Sequence, residues 1–268
     1  NLWGASDSCL ERLHQHLLAH GYEVEVHGYA RPWRDWTNSL WGQRLLGYGE
    51  FPLQRKDGKG QALSVKQPVE RLWRQFGRRQ VHIHRFDPAA FPHGCVVRHF
   101  AQEIGMADSP GLSLQVNERL TLPAAQLATC FHRWVAGKEA PIEERPAQMH
   151  ELRKHLAELP GPKLRFHDDL MAPLVESWAR EDDWLEQELG FRLGGGHRSA
   201  TTGPGQAIRN EADLLALQPE TLDWLAARVN RSWLGRAERR ANGPEEVAAQ
   251  LRVLAARRHG TLRRRVSE

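Results

Sequence analysis

Cysteine is scarce in this chain of 268 residues. The three that occur, Cys9, Cys95 and Cys130, lie far apart along the sequence. Their spacing fits neither a disulfide framework nor a cysteine-based metal site. A reducing compartment is the simplest inference from this pattern, so we expect a cytoplasmic protein.

Long hydrophobic runs and a strong excess of one charge are also missing. No apolar stretch approaches the ~18 residues that a membrane-spanning helix needs, and no segment has the layout of a signal peptide. The 37 Lys and Arg residues exceed the 33 Asp and Glu residues by only four. This balance suits an anionic ligand but does not indicate a specific nucleic-acid partner, because the arginines are mixed with acidic residues.

Apolar and aromatic residues, in contrast, are plentiful. The sequence is 40% hydrophobic and contains ten Trp, which is enough for a sizeable core and argues against disorder. The length allows one large domain or two small ones. No strong boundary is visible, so we expect a single domain over residues 1–268.

The most informative stretch is residues 22–49. Val24 and Val26 alternate with polar residues, which predicts a strand over Tyr22–Ala30. Arg31 and Pro32 end this strand, and a helical apolar period starts at Trp33. The pattern therefore predicts a strand that ends at an arginine and passes directly into a helix. Ligands of open α/β sheets bind at such carboxyl ends of strands.

The first part of the chain contains further predicted helices and a second predicted strand. The pattern predicts helices at Cys9–His20, with Asp7 or Ser8 as cap, and at Pro68–Phe76 and Gly94–Met106, and a second strand at Gln80–Phe86. Because a helical stretch separates the two strands, we expect them to be parallel neighbours. In the helix at Gly94–Met106, we expect an inward face. Its members are Val96, Val97, Phe100 and Ile104.

Helical spacing dominates from Pro123 onward. The candidate helices are Pro123–Ala136, Arg145–Leu159, Asp168–Leu189, Glu211–Leu217, Pro219–Leu234 and Pro244–His259. The predicted fold class is therefore α/β, with a small parallel sheet covered by helices and a largely helical carboxyl-terminal half at residues 123–268. We expect loops at residues 50–63 and 194–205 and a basic, solvated tail.

The pattern Tyr-x-Arg-Pro-x-x-Asp-x-x-x-Ser, which contains Arg31 and Ser39, resembles the 3′-phosphate-binding segment of PAPS-dependent sulfotransferases. The segments RQFGRRQVHIHRFD and FAQEIGM resemble bacterial members of that family. The resemblance covers, in order, about residues 20–120 and 205–226. It implies a P-loop-related fold, PAPS as co-substrate, and Arg31 and Ser39 as residues that bind the nucleotide.

The resemblance also implies that this chain would lack one part of the family's nucleotide-binding site. No Gly-x-x-x-x-Gly-Lys-Ser/Thr loop occurs here, so the family's 5′-phosphosulfate loop and its preceding strand would lie upstream of Asn1. The catalytic residue is therefore unknown. The expected activity is sulfuryl transfer to a hydroxyl of a carbohydrate or small metabolite. The alternative is a non-catalytic member of the same fold that binds a nucleotide or a glycan.

Two pairs of histidines are candidates for separate sites. His16 and His20 have the i, i+4 spacing of helical metal ligands, but no third ligand is in view. His82 and His84 alternate along the second strand and share one face, where they could transfer protons or simply form a half-exposed surface. The sequence therefore predicts no metal site.

Overall fold

The computed structural model describes residues 4–49, 51, 63–106, 120–136, 145–194, 207–231 and 240–256. The α-helices within this part of the chain are α1 Asp7–Ala19, α2 Trp33–Tyr48, α3 Lys66–Phe76, α4 Val96–Glu103, α5 Leu122–Phe131, α6 Arg145–Leu156, α7 Asp168–Met171, α8 Val175–Leu189, α9 Glu211–Leu215, α10 Pro219–Arg231 and α11 Pro244–Ala255.

The chain divides into two compact units, and α2 contributes to both of them. The expectation of a single domain stays a prediction. The first unit comprises Asn1–Thr37, Asp57–Glu118 and Met171–Thr201, and the second comprises Asn38–Lys56, Arg119–Leu170 and Thr202–Glu268.

The first unit contains a sheet of two parallel strands, β1 (Val26–Ala30) and β2 (Val81–Arg85). Val26 pairs with Val81 and Ala30 with Arg85, so the predicted parallel pairing is confirmed. The prediction that β1 starts at Tyr22 is wrong by four residues. Since β2 begins opposite Val26, the preceding residues have no ladder partner in the described sheet.

One face of the sheet is apolar and lies against α1 and α3. Leu10 of α1 packs with Leu72 and Phe76 of α3 and with Val26 and Val81 of the strands. All five are buried, and they form the hydrophobic core of this layer. The α/β class predicted from the alternation of strand and helix patterns is therefore present in this unit.

Several helix boundaries differ from the prediction for identifiable reasons. Ser6 caps α1, rather than Asp7 or Ser8, because its side chain accepts the Cys9 N–H at 3.3 Å. The predicted helix Asp168–Leu189 is interrupted by a 3₁₀ turn at Ala172–Leu174, where Pro173 cannot donate a helical hydrogen bond.

The inward face predicted for α4 is wrong. Val97, Phe100 and Ile104 are 37%, 38% and 37% exposed, and Ala101 is the buried residue of this helix. The helix begins at Val96 rather than Gly94, because a 3₁₀ turn at Pro92–Gly94 precedes it. Polar residues of α4 instead face the sheet, which the apolar period alone does not reveal.

A carboxylate from α8 caps α3. The Glu181 side chain accepts hydrogen bonds from the N–H groups of Val65 and Lys66, at 3.0 and 2.9 Å. Ser64 donates to the same carboxylate at 2.7 Å. The N–H groups at the start of a helix have no acceptor within the helix, and this carboxylate supplies one. Its negative charge also interacts favourably with the positive end of the helix dipole.

The second unit is built around α5, which is buried along its whole length after Pro123. Helices α9 and α11 pack against it, and α6 and α10 pack in turn on α11. The largest contributors to this core include Leu127, Phe131, Leu152, Leu225 and Leu251. A helix that is apolar on all sides belongs in a core.

The prediction of a largely helical carboxyl-terminal half is confirmed for its described residues. Two isolated bridges, Thr121 to Lys163 and Phe166 to Ile208, are the extended contacts that accompany these helices. The π-helical turn His132–Ala136 extends α5. Among the described residues, no helix combines the length and apolar character needed to cross a bilayer.

Several predicted segments lie outside the described residues. They are residues 50 and 52–62 of the first predicted loop, 107–119, 195–205 of the glycine-rich stretch, 232–234 at the end of a predicted helix, and the basic tail at 257–268.

Candidate functional site

The β1–α2 junction carries the first predicted site residue. The Ala30 carbonyl accepts the Phe86 N–H at 2.7 Å, which ends the pairing of the two strands. Arg31 and Pro32 follow, and the Trp36 N–H then donates to the Pro32 carbonyl at 2.9 Å. Arg31 therefore stands at the carboxyl end of a parallel strand, immediately before a helix amino terminus.

The Arg31 side chain is exposed and lies over an aromatic ring. Its guanidinium carbon is 4.6 Å from the centre of the Phe86 ring, a cation–π contact. Among the described residues, no ion pair joins Arg31 to a carboxylate. An exposed guanidinium held in this way is suited to binding an anion, because its planar fork matches phosphate oxygens.

A buried carboxylate fixes the start of α2. Trp33 is completely buried, and its Nε1–H donates to Asp182 Oδ1 at 2.9 Å. Asp182, itself 8% exposed, also accepts the N–H groups of Leu193 and Gly194, each at 2.9 Å. One carboxylate thus holds the first residue of α2 by one hydrogen bond and the segment after α8 by two more.

Ser39, the second predicted site residue, is a half-buried residue of α2. It belongs to the second unit, whereas Arg31 belongs to the first. The proposed pairing of these two side chains around one phosphate therefore stays a prediction.

The polar face of the sheet carries a group of side chains that the sequence analysis did not assemble. His27 pairs in register with His82, and Tyr29 with His84, so all four point to the face opposite the apolar core. Helix α4 adds two polar side chains to the same group. We call Glu25, His27, Tyr29, His82, His84, His99 and Glu103 the histidine cluster.

Ring contacts connect the histidine cluster. The His27 ring stacks on those of His82 and His84, with centroids 4.8 and 5.6 Å apart. His27 Nδ1 lies 3.3 Å from His84 Nε2, so these nitrogens share a hydrogen bond. Tyr29 forms a second one, 2.8 Å long, between its hydroxyl and His99 Nδ1.

The carboxylate of Glu103 reaches two imidazoles. Its oxygens lie 3.9 Å from His84 Nε2 and 3.8 Å from His99 Nε2. The side chains of His84 and His99 are 20% and 21% exposed, and that of Glu103 is 40% exposed. The group is therefore partly desolvated and open to solvent on one side.

Burial and neighbouring charges shift two of these groups. Burial lowers the pKa of His84; the Glu103 carboxylate opposes this effect, and the other three imidazoles close to His84 add to it. Burial also raises the pKa of Tyr29, and Glu103 raises it further. The environment thus favours a neutral imidazole and a protonated phenol.

Two subsets of the histidine cluster have the composition of a metal site. One consists of Glu25, His27 and His82, and the other of His84, His99 and Glu103; within each, the ligand atoms lie within 4.8 Å of one another. Sequence reasoning missed His27, Tyr29, His99 and Glu103. The i, i+4 spacing of His99 and Glu103 is a signal for these two residues in the sequence. The places of His27 and Tyr29 in the cluster depend on the register of the two strands, which a local pattern does not reveal.

Comparisons of the chain with protein-family models, with curated proteins and with solved structures found no match.

Proposed function

We propose that this protein binds PAPS through Arg31 and Ser39 and transfers its sulfuryl group to a hydroxyl of a carbohydrate or small metabolite. The observation that supports this best is the strand–arginine–helix junction, in which an exposed guanidinium precedes the amino terminus of α2. The resemblance to sulfotransferases also implies that Arg31 is a residue that binds the 3′-phosphate.

Physical chemistry at the junction favours a phosphate group. A guanidinium can donate two parallel hydrogen bonds to phosphate oxygens. A helix amino terminus adds N–H donors and the positive end of the helix dipole. The cation–π contact with Phe86 restrains the Arg31 side chain in the absence of ligand, which reduces the entropy lost on binding.

The reaction itself needs groups other than Arg31 and Ser39. During transfer, the bond between sulfur and the phosphate-bridging oxygen breaks, and a bond from sulfur to the acceptor oxygen forms. The acceptor hydroxyl loses its proton, and the products are a sulfate ester and adenosine 3′,5′-bisphosphate. Positioning and neutralisation of charge supply most of the catalysis in such transfers. Arg31 and Ser39 would anchor the donor.

The nucleotide part of the proposal is tested by comparing two ligands on the intact chain. Adenosine 3′,5′-bisphosphate and AMP differ only in the 3′-phosphate that Arg31 and Ser39 would contact. We expect calorimetry to show at least about tenfold tighter binding of the bisphosphate, since a charge-assisted hydrogen bond contributes about 1.5–3 kcal/mol. Equal affinities for the two nucleotides would refute the proposed phosphate site.

A second measurement separates an enzyme from a binding protein. Incubation with PAPS and a panel of hydroxyl-bearing carbohydrates should yield a sulfate ester and the bisphosphate in equal amounts if the chain is catalytic. Nucleotide binding without product from any acceptor would favour the alternative, a non-catalytic member of the same fold.

A further inference from the structure

The histidine cluster contains a donor set that suits transition metals. Two imidazoles and a carboxylate, from His84, His99 and Glu103, converge from β2 and α4 on one face of the sheet. His₂Glu is a ligand set found for Zn²⁺ at sites that keep a further position open. Imidazole also distinguishes such a site from the all-oxygen sites that Mg²⁺ and Ca²⁺ prefer.

The three ligand atoms lie within 4.8 Å of one another, so they must move closer to bind one ion, and the metal would replace His27 Nδ1 as the partner of His84 Nε2. Ligand atoms of a tetrahedral site lie ~3.3 Å apart when metal–nitrogen bonds are about 2.0–2.1 Å long. The two measured separations from the Glu103 oxygens to the imidazole nitrogens are 3.8 and 3.9 Å. Glu103 is the last residue of α4 and is 40% exposed, so its side chain can rotate toward the two rings without disturbing the core.

Tyr29 fixes the orientation of one of these rings. Its hydroxyl lies 2.8 Å from His99 Nδ1, which leaves His99 Nε2 directed toward Glu103. When the phenol oxygen accepts a hydrogen bond from Nδ1–H, Nε2 is the unprotonated nitrogen that can bind a metal. Outer partners of this kind hold the tautomer and the ring angle of metal-binding histidines.

The second subset of the cluster is less well prepared for a metal. Glu25 lies just outside β1, and its side chain is 63% exposed, so ordering its carboxylate costs more conformational entropy. Glu103, in contrast, is held at i, i+4 from His99 on the same helix.

We propose that His84, His99 and Glu103 bind a divalent transition-metal ion of the Zn²⁺ type, with Tyr29 as a positioning residue for His99. This site does not depend on the nucleotide-binding function proposed above. It also departs from the expectation of no metal site, because His84 of β2 meets His99 and Glu103 only through the packing of α4 on the sheet.

The test measures Zn²⁺ affinity of the full-length chain by competition with a chromophoric chelator. The reference protein carries His16→Ala, since the exposed rings of His16 and His20 lie 4.4 Å apart on α1 and could bind Zn²⁺ themselves. We expect this reference protein to bind Zn²⁺, to give a visible spectrum of ligand-bound Co²⁺, and to keep both signals in excess Mg²⁺.

Substitutions added to the reference protein then identify the ligands. Glu103→Gln should weaken Zn²⁺ binding by more than the roughly 10–100-fold typical of losing an outer-shell partner, and Tyr29→Phe by an amount within that range. Glu25→Gln is the matched control because it makes the same chemical change on the same sheet face. It should alter the affinity by less than about threefold, since exposed charges interact weakly.

Far-UV circular dichroism and thermal unfolding of the metal-free variants establish that each is folded. Glu103 and Glu25 are both exposed enough to tolerate an isosteric amide. Failure of the reference protein to bind Zn²⁺ would overturn the proposal. So would an unchanged affinity in Glu103→Gln, or a loss in Glu25→Gln as large as that in Glu103→Gln.

Discussion

At the scale of single residues, the buried thiol of Cys130 has a strongly raised pKa. Burial in α5 raises the pKa of its thiol to about 12, and weaker effects of a backbone hydrogen bond and of Arg133 oppose the rise. Only the thiolate reacts with alkylating reagents. We predict that at about pH 8 Cys130 stays unmodified in the folded protein and reacts once the chain is unfolded in guanidinium.

Mass spectrometry after brief maleimide labelling checks this outcome, with the exposed Cys9 as internal positive control. Rapid labelling of Cys130 in the folded protein would contradict the burial of α5.

Two glycines at helix ends provide a matched pair. Gly49 follows α2 with φ +68°, and a Cβ there would lie 2.5 Å from the His132 Cβ. Gly21 follows α1 with φ +78° but has open space around it. Gly21→Ala should therefore lower the free energy of unfolding by about 1–2 kcal/mol, because alanine is strained in the left-handed conformation.

Gly49→Ala should cost that amount and a further contribution of about 1–3 kcal/mol from the close contact. Chemical denaturation of both variants measures the difference. An equal loss in the two would show that His132 moves aside without cost.

At the scale of elements, Asp182 connects α8 to the start of α2 and to the residues after α8. We predict that Asp182→Ala lowers the free energy of unfolding by about 2–4 kcal/mol, because three N–H donors, two of them in buried hydrogen bonds, lose a charged acceptor. The neighbouring Asp183 is exposed and pairs with Arg192 on the surface. Asp183→Ala should therefore cost under about 1 kcal/mol.

Denaturation in urea gives both values, and circular dichroism reports whether helix content changes. Similar losses for the two aspartates would mean that the Asp182 hydrogen bonds do not stabilise the α2 start.

Local patterns predicted most elements because each pattern reflects the burial of its own residues. Val81 and Ile83 alternate with His82 and His84, and β2 is found one residue inside the predicted bounds. Pro173 interrupts the helix predicted over Asp168–Leu189, and its presence could have been weighed as a signal.

The histidine cluster could not be predicted from local sequence patterns. His27 meets His82 only because the two strands pair in a particular register, and His99 reaches them because α4 packs its polar side toward the sheet. The apolar pattern of α4 predicted the opposite orientation, but Val97 and Phe100 are exposed and Ala101 is the buried residue of the helix. Register and helix orientation depend on contacts far apart in sequence.

At the scale of the whole molecule, the predicted class is confirmed: a small parallel sheet with helices, and a helical carboxyl-terminal half. Composition predicted a sizeable core, and the second unit has one to which α5, α6, α10 and α11 all contribute buried residues. Since Leu251 and Leu254 of α11 are buried, a test of the basic tail for nucleic-acid binding should remove only residues 257–268 and keep α11 intact.

The central claim is that Arg31 binds the 3′-phosphate of the nucleotide, and one calorimetric measurement tests it directly. Arg31→Ala should weaken the binding of adenosine 3′,5′-bisphosphate by roughly 10- to 100-fold and leave the binding of AMP nearly unchanged. Arg31→Lys should recover only part of the affinity, since an ammonium cannot form the bidentate fork. Ser39→Ala should have a smaller effect in the same direction, because a neutral hydroxyl contributes less.

Arg12→Ala is the matched control, since it removes the same charge from an exposed position on α1. It should leave the affinity for both nucleotides within about twofold, because isolated surface charges contribute little. The account predicts a loss that is specific to Arg31 and to the ligand with the 3′-phosphate. An unchanged affinity of Arg31→Ala for the bisphosphate, or an equal loss for AMP, would contradict it.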